Sequence, residues 1–316
     1  MTIETCGPLG LDGTCTHGSS NRNQIGAEVG DSPGTRTSLN DSNLRSLAGK
    51  PSGTISFHDF YGKGSQFNLT ISANVTNICL RSYAVASGWN QSSPVKVTIL
   101  SGVYVYSNCT SIPAMTVQGS WPGGVTLQNC GIIAGMGGKG GTAGAAASTG
   151  YFFPCGQNIG SGGNGYPGGP ALKAQTAMTF KNNGTVGGGG GGGGGGNGFS
   201  GGYCYAYGTT GGGGRVNGGV GDKYNCPCYG GPQSSGCGTP GSLTTYGQGY
   251  TISPCVPVGS SGHGGCFGQS GQGGEGRTCG AGGQHVPSSG GAAGAAVVGN
   301  SYITYSPSGT LLGAIT

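Results

Sequence analysis

Five cysteines and a histidine come closest to a chemical cluster in this sequence: Cys226-Pro-Cys228, Cys237, Cys255 and His263-Gly-Gly-Cys266. Thiolates and an imidazole are the donors that zinc takes, but structural zinc sites pair ligands about two to four residues apart, and this spacing matches none of those patterns. No metal ligand is therefore assigned. Disulfides are the competing use, with Cys155, Cys204, Cys226, Cys228, Cys237, Cys255, Cys266 and Cys279 as candidates in the glycine-rich part of the chain. The odd total of 13 Cys leaves at least one thiol unpaired or bonded between chains.

Two other patterns imitate chemistry. Gly163-Asn-Gly165-Tyr-Pro-Gly168 matches the dinucleotide-binding fingerprint, yet no helix is predicted after it and Pro167 interrupts it. Asp222 and Glu275 are the carboxylates of the glycine region, and paired-carboxylate hydrolysis would need them brought together across a long stretch of chain. The remaining histidines, His17, His58 and His285, have no Asp, Glu or Ser in a recognisable arrangement. Neither an enzyme nor a cofactor is expected.

The composition narrows the class further. Charged residues make up 7% of the 316 residues, against about 25% in ordinary globular proteins. A net charge of +5 spread this thinly forms no basic stripe, so nucleic acid is not an expected partner. With 15 Tyr, 8 Phe and 2 Trp the chain is too aromatic for plain disorder. No basic start and apolar run of a signal peptide opens the sequence, and no apolar stretch is long enough to span a membrane. Such a chain is expected to be made in a cytosol, which fits poorly with so many cysteines unless it leaves inside a particle assembled there.

Three kinds of element must position whatever acts. Residues 1–65 read as a separate segment with two short helices: Ser38-Leu-Asn-Asp41 starts one carrying Leu44 and Leu47, with Gly49 and Pro51 as stop signals, and Ser56-Phe-His-Asp59 precedes Phe60-Tyr61-Gly62. Residues 66–134 alternate apolar and polar side chains as half-buried strands do, through Phe67, Leu69, Ile71, Val75, Val95, Val97, Ile99, Val103 and Val105. The strand pattern then repeats: 171–187 aligns without a gap to 296–312, and a looser copy runs from Ala114 through Val125-Thr-Leu127 to Gly131-Ile-Ile133. Each copy holds a turn glycine, required there if the backbone has positive φ. The predicted strands form a base, and glycine-rich excursions leave it after the first two copies.

The excursions contain ten consecutive glycines, Gly187 to Gly196. Glycine buries no side chain and loses more backbone freedom than any other residue. Such a region is either a flexible linker or a bundle of polyproline II-like helices whose amides bond across chains, possible only without Cβ atoms. The return of the strand repeat at 296 favours the bundle. Bulky insertions interrupt the glycines and carry Tyr151, Phe152, Tyr166, Tyr203, Tyr205, Tyr207, Tyr224, Tyr229, Tyr246 and Tyr250, a Tyr, Gly, Ser and Asn mixture suited to recognition surfaces. These rings either form a binding surface or cover the flanks of the bundle.

Residues 38–63, the central Ala84-Val-Ala-Ser-Gly-Trp-Asn90 and the C-terminal Gly299-Asn-Ser-Tyr-Ile-Thr-Tyr305 with Gly309-Thr310 resemble segments of tail-tip and tail-fibre proteins of tailed bacteriophages. The glycine region resembles that of T-even-type phage adhesins, whose polyglycine II helices pack in a sandwich and whose variable loops touch the host receptor. The chain departs from them in its N-terminal segment and its many cysteines. The resemblance implies a mainly β and irregular protein, with a small helical attachment segment at 1–65, a β-strand platform at 66–134, a polyglycine II region with variable loops at 135–298 and a returning strand repeat at 299–316. It implies a virion tail-tip or fibre adhesin whose partners are other phage tail proteins and a host outer-surface receptor, protein or glycan, with room for a homotrimer on the tail. Leu44, Leu47, Phe57, Phe60 and Tyr61 are the candidate virion-attachment residues, and the aromatic residues named above are the candidate receptor contacts. The alternative is a tail-tip plug or scaffold whose loops bind other tail subunits.

Overall fold

The computed structural model describes residues 25, 29, 38–60, 66–144, 157–201, 204–206, 209–222, 238–250, 260–275, 287–307 and 309–316. In the N-terminal part, helix α1 (Ser42–Ala48) begins after Asp41, whose carboxylate accepts the Ser38 N–H at 2.8 Å. It stops at Gly49, where a left-handed φ of 72° turns the chain back to the Arg45 and Ser46 carbonyls. A 3₁₀ turn follows at Phe57–Phe60, and the Asp59 carboxylate accepts from the backbone and hydroxyl of Ser56 at 2.8 and 3.0 Å. The sequence predicted a helix start here; the chain spends the signal on this single turn. Ile25, Leu44, Ala48 and Phe60 form a small buried cluster, with Leu47 and Ile55 packed on it.

From residue 67 the chain winds through five coils. The first contains β1 (Phe67–Ile71), β2 (Val75–Thr76) and β3 (Ile78–Cys79); the second β4 (Val95–Ile99), β5 (Tyr104–Tyr106) and β6 (Met115–Val117). The third contains β7 (Val125–Asn129), β8 (Ile132–Ala134) and β10 (Leu172–Ala174), the fourth β11 (Met178–Asn182), β12 (Thr185–Gly187) and β15 (Ala295–Val298), and the last β16 (Ile303–Tyr305), β17 (Thr310–Leu312) and β18 (Ala314–Ile315). Strand β9 (Gln157–Gly160) lies within the first excursion. Each coil gives one strand to each of three five-stranded parallel sheets, so the strands form a three-sided solenoid.

The alternating pattern places one side-chain row inward on every sheet. Leu69, Val97, Leu127, Phe180 and Tyr305 stack in register on the first sheet. Val75, Val105, Ile133, Val186 and Leu311 stack on the second, and Ile78, Met115, Leu172, Val297 and Ile315 on the third. Most of these residues are fully buried, each stabilising the fold by about 1.5–3 kcal/mol of transfer free energy. Helix α2 (Leu80–Ala86) follows β3 and buries Leu80 and Ala84. Beside it Trp89 stacks on Trp121 with ring centroids 4.7 Å apart, and Trp89 Nε1 donates to the Ser93 carbonyl at 2.9 Å.

The internal repeat is the register of the coils. Leu172 pairs with Val297, Met178 with Ile303, Phe180 with Tyr305, and Val186 with Leu311, as in the gapless alignment; Leu172 with Met115, Phe180 with Leu127 and Val186 with Ile133 reproduce the looser copy. The expected reason, a positive φ, holds at one of the three repeat glycines. Gly309 has a positive φ of 55°, but Gly131 and Gly184 do not. A Cβ on Gly184 would run into the Gly131 carbonyl of the preceding coil, so the glycines allow neighbouring coils to approach at the corner.

Both excursions leave at one corner of the solenoid, between its second and third sheets: the first runs from β8 to β10 and the second from β12 to β15. The second also contains β13 (Gly198–Gly201) and β14 (Cys204–Ala206), which join β9 in a three-stranded antiparallel sheet.

Candidate functional site

Between the sheets and that small sheet, the glycine segments form a lattice of backbones. The row 187–196 lies at its centre. The N–H groups of Gly189, Gly192 and Gly195 donate to the carbonyls of Gly169, Tyr166 and Gly163; those of Gly190, Gly193 and Gly196 to Arg215, Gly212 and Thr209; those of Gly188, Gly191 and Gly194 to Leu312, Gln269 and Gln272. Its carbonyls serve three further rows. Gly187, Gly190, Gly193 and Gly196 accept from Gly135, Gly138, Gly141 and Gly144, Gly188, Gly191 and Gly194 from Gly268, Gly265 and Gly262, and Gly189 and Gly192 from Gly294 and Gly291. The Gly195 carbonyl accepts from the Ser288 hydroxyl. The partner changes with every residue and recurs at every third, so the central row is bonded on all sides.

Only glycine fits the central row of this lattice. A Cβ on Gly191, Gly192 or Gly193 would run into the carbonyls of Gly291, Lys139 and Gly262 respectively. The entropy that glycine loses, about 1 kcal/mol per residue relative to Ala, is offset by a full set of buried amide hydrogen bonds worth about 0.5–1.5 kcal/mol each. The apparent dinucleotide motif at 163–168 is one of these rows: it leads into strand β10, and its Tyr166 N–H donates to the Lys139 carbonyl at 2.8 Å.

The registers also fix where each row turns. At the solenoid end lie the turns around Arg215–Val216, Leu243 and Phe267. Val216 and Phe267 bury with Ala134, and the Arg215 guanidinium sits 3.9 Å from the Phe267 ring centroid while its Nε donates to the Leu243 carbonyl at 3.0 Å. At the other end lie Gly144, Gly163, Thr209, Asp222, Gly238, Tyr250, Ser260, Glu275 and Ser288, linked by Gly144 to Gly196, Gly195 to Gly163, Gly196 to Thr209, Ala143 to Asp222, Gly238 to Thr210, Ser261 to Tyr250, Glu275 to Ser260 and Gly274 to Ser288 hydrogen bonds. The chain therefore crosses the lattice repeatedly and leaves it on one face, remote from the solenoid. On the lattice flank the Lys139 ammonium reaches both Asp222 carboxylate oxygens at 2.7 Å.

The four described aromatic candidates occupy four different places. Tyr250 is 42% exposed at the remote end, whereas Tyr166 is 55% exposed halfway along its row, on the lattice flank. Tyr246 is half-buried, its ring edge-on to His263 with centroids 6.4 Å apart. Tyr205 lies on β14, paired with Ser200. Tyr151, Phe152, Tyr203, Tyr207, Tyr224 and Tyr229 lie outside the described residues. Of the attachment candidates, Leu44 and Phe60 are fully buried in the N-terminal cluster, Leu47 is half-buried and Phe57 is 39% exposed, while Tyr61 lies outside the described residues.

Cys266 is a free, half-buried thiol. Cys79, Cys109 and Cys130 are free as well, and the Ser111 hydroxyl 3.1 Å from the Cys109 sulfur draws that thiol below its usual pKa. Cys204 is described only as part of β14, and Cys155, Cys226, Cys228, Cys237, Cys255 and Cys279 lie outside the described residues. Among the described residues no three His, Cys, Asp or Glu side chains come together as metal ligands. None of the helices described is long and apolar enough to cross a membrane.

Sequence reasoning passed over Arg215, Phe267 and the Lys139–Asp222 pair. The signal for the first two was present, since bulky residues separate the glycine runs where rows turn at the solenoid.

No curated protein sequence matches the chain. A solved structure titled as the gp37–gp38 adhesin tip complex of the bacteriophage S16 long tail fiber contains a chain of the same fold, at 22% identity and a TM-score of 0.60, covering 96% of this chain and 100% of that one. The family model described as phage tail fibre adhesin Gp38 matches residues 66–316, from the first solenoid strand through the lattice to the last. The chain belongs to the phage tail fibre adhesin Gp38 family.

Proposed function

We propose that the protein is the adhesin at the tip of a phage tail fibre, binding a receptor on the host bacterial surface through the lattice end remote from the solenoid. The observation that carries this reading is the common exit face: the segments interrupting the glycine rows enter and leave the described structure there. Aromatic residues in several of those segments, and Tyr250 beside them, supply anchors of the kind that dominate binding surfaces. Binding without catalysis suits a site whose resources are aromatic area and backbone amides.

The rows themselves are read as polyglycine II helices. A partner recurring at every third residue matches three residues per turn. In this reading residues 1–65 dock onto another tail protein, as the S16 neighbour is assembled with gp37, and the solenoid is the base that aims the lattice outward. The exit-face geometry favours the adhesin over a scaffold whose loops bind tail subunits. Phage particles in which a short Gly/Ser linker replaces residues 223–237 should assemble and lose host adsorption. Failed assembly would favour the scaffold, and unchanged adsorption on every strain tested would remove this segment from the receptor site.

A further inference from the structure

One row of the lattice, 246–250, ends in the exposed Tyr250. Gly247 donates to the Gly213 carbonyl at 2.6 Å and accepts from Gly264 at 2.9 Å, as lattice residues do. Two residues on, the pattern changes: the Gly249 N–H donates to His263 Nδ1 at 2.9 Å, and the Tyr250 N–H to the Ser261 hydroxyl at 2.7 Å. His263 itself is fixed, since Gln272 donates to its carbonyl and its neighbours Gly262 and Gly264 are bonded to Gly194 and Gly247. An imidazole nitrogen thus occupies the place that a carbonyl takes elsewhere.

We propose that His263 is a proton-sensitive latch that positions the 246–250 row and the Tyr250 ring at its end. Nδ1 accepts the Gly249 N–H only while it carries no proton. Once protonated, the ring presents N–H to N–H, the bond is lost and two donors face each other. Histidine is the side chain that changes charge between about pH 5 and 8, so mild acid would break this one bond and loosen the row at Gly249, while Thr239 still holds Gln248, Ser261 still holds Tyr250 and the central rows, held by carbonyls, stay intact. The titratable or charged groups on the packed elements are Tyr246 and Tyr250 on the row itself, Glu275 on the 269–275 row and Arg215 on the 209–215 row. Tyr246 touches the ring edge-on, the Glu275 amide is bonded to Ser260, and Arg215 lies over Phe267 at the solenoid end.

The latch deepens the adhesin reading but is tested without a receptor. Hydrogen exchange of the full-length protein should show the protection of Gly249, corrected for intrinsic rate, falling about tenfold between about pH 7.5 and pH 5.5, with Gly192 unchanged. In His263→Gln, whose amide oxygen accepts at either pH, the difference should vanish. Equal protection at both pH values in the wild-type protein, or an equal fall in the glutamine variant, would overturn the latch. Adsorption is then measured separately: an adhesin that fails to bind at any pH counts against the receptor reading and leaves the exchange result to decide the latch.

Discussion

Asn129 Nδ2 donates to Asn182 Oδ1 at 2.8 Å, joining consecutive coils inside the solenoid, where both side chains are fully buried. The pair continues the inward ladder that begins with Ile71 and Ile99. Its other bonds run to the corner: Gly131 N–H donates to Asn129 Oδ1 at 3.1 Å, and Asn182 Nδ2 to the Thr310 carbonyl at 3.3 Å. Two buried amides thereby satisfy the backbone where the chain turns from the first sheet to the second.

Replacing Asn182 by Leu removes its bonds to Asn129 and Thr310 and leaves the buried Asn129 amide short of a partner. The expected cost is about 1–3 kcal/mol, read as a lowered midpoint of thermal unfolding. An unchanged midpoint would show that the corner satisfies itself without the side chain.

Gly192 and Gly219 separate lattice packing from glycine content. A Cβ on Gly192 meets the Lys139 carbonyl and must force two rows apart, while one on Gly219 finds only Lys139 Cγ, 3.8 Å away. Gly192→Ala should destabilise by at least about 1–3 kcal/mol, as overpacking does. Gly219→Ala should be neutral or stabilising by up to about 1 kcal/mol through the unfolded state. Chemical denaturation of the two variants side by side tests the contrast, and equal effects would contradict it.

Asp59 makes the N-terminal cluster acid-sensitive. The Lys50 ammonium 2.8 Å away and the Ser56 N–H hold its carboxyl at a pKa of about 2. The folded value lies below the unfolded one, so this contribution is complete above about pH 4 and disappears as pH falls through about 2. Amide exchange across 38–60 followed over that window should show the loss, and Asp59→Asn should flatten it.

If the remote end meets the receptor, Tyr250→Ala should reduce host adsorption by about tenfold or more, the loss of one anchor residue. Tyr166→Ala, on the flank, should leave it within about twofold. The opposite ranking, measured with variant phage on one host strain, would move the contact surface to the side of the lattice.

The solenoid was legible because its side chains repeat. Aligning Phe180 with Tyr305 and Val186 with Leu311 recovers the strand register, since stacked coils must present matching rows inward. The third sheet was harder to read: strands as short as Ile78–Cys79 and Ala314–Ile315 hold too few residues to show a period. Which glycine rows are neighbours was illegible for a stronger reason. Gly192 bonds to Tyr166 and Gly193 to Gly212, but a residue without a side chain leaves no pattern by which to choose its partners. The cluster at Leu44 and Phe60 shows the opposite ambiguity, in which apolar residues beside a helix start served a local core.

Both ends of the long excursion are anchored in one coil, at Gly187 of β12 and Ala295 of β15. A pull on any segment at the remote end is therefore carried along the rows and met by many amide bonds loaded together, roughly at right angles to the force. Such a body resists tearing in the manner of a laid rope, whose strands hold one another by contact along their whole length, and it can transmit tension to the solenoid without first lengthening.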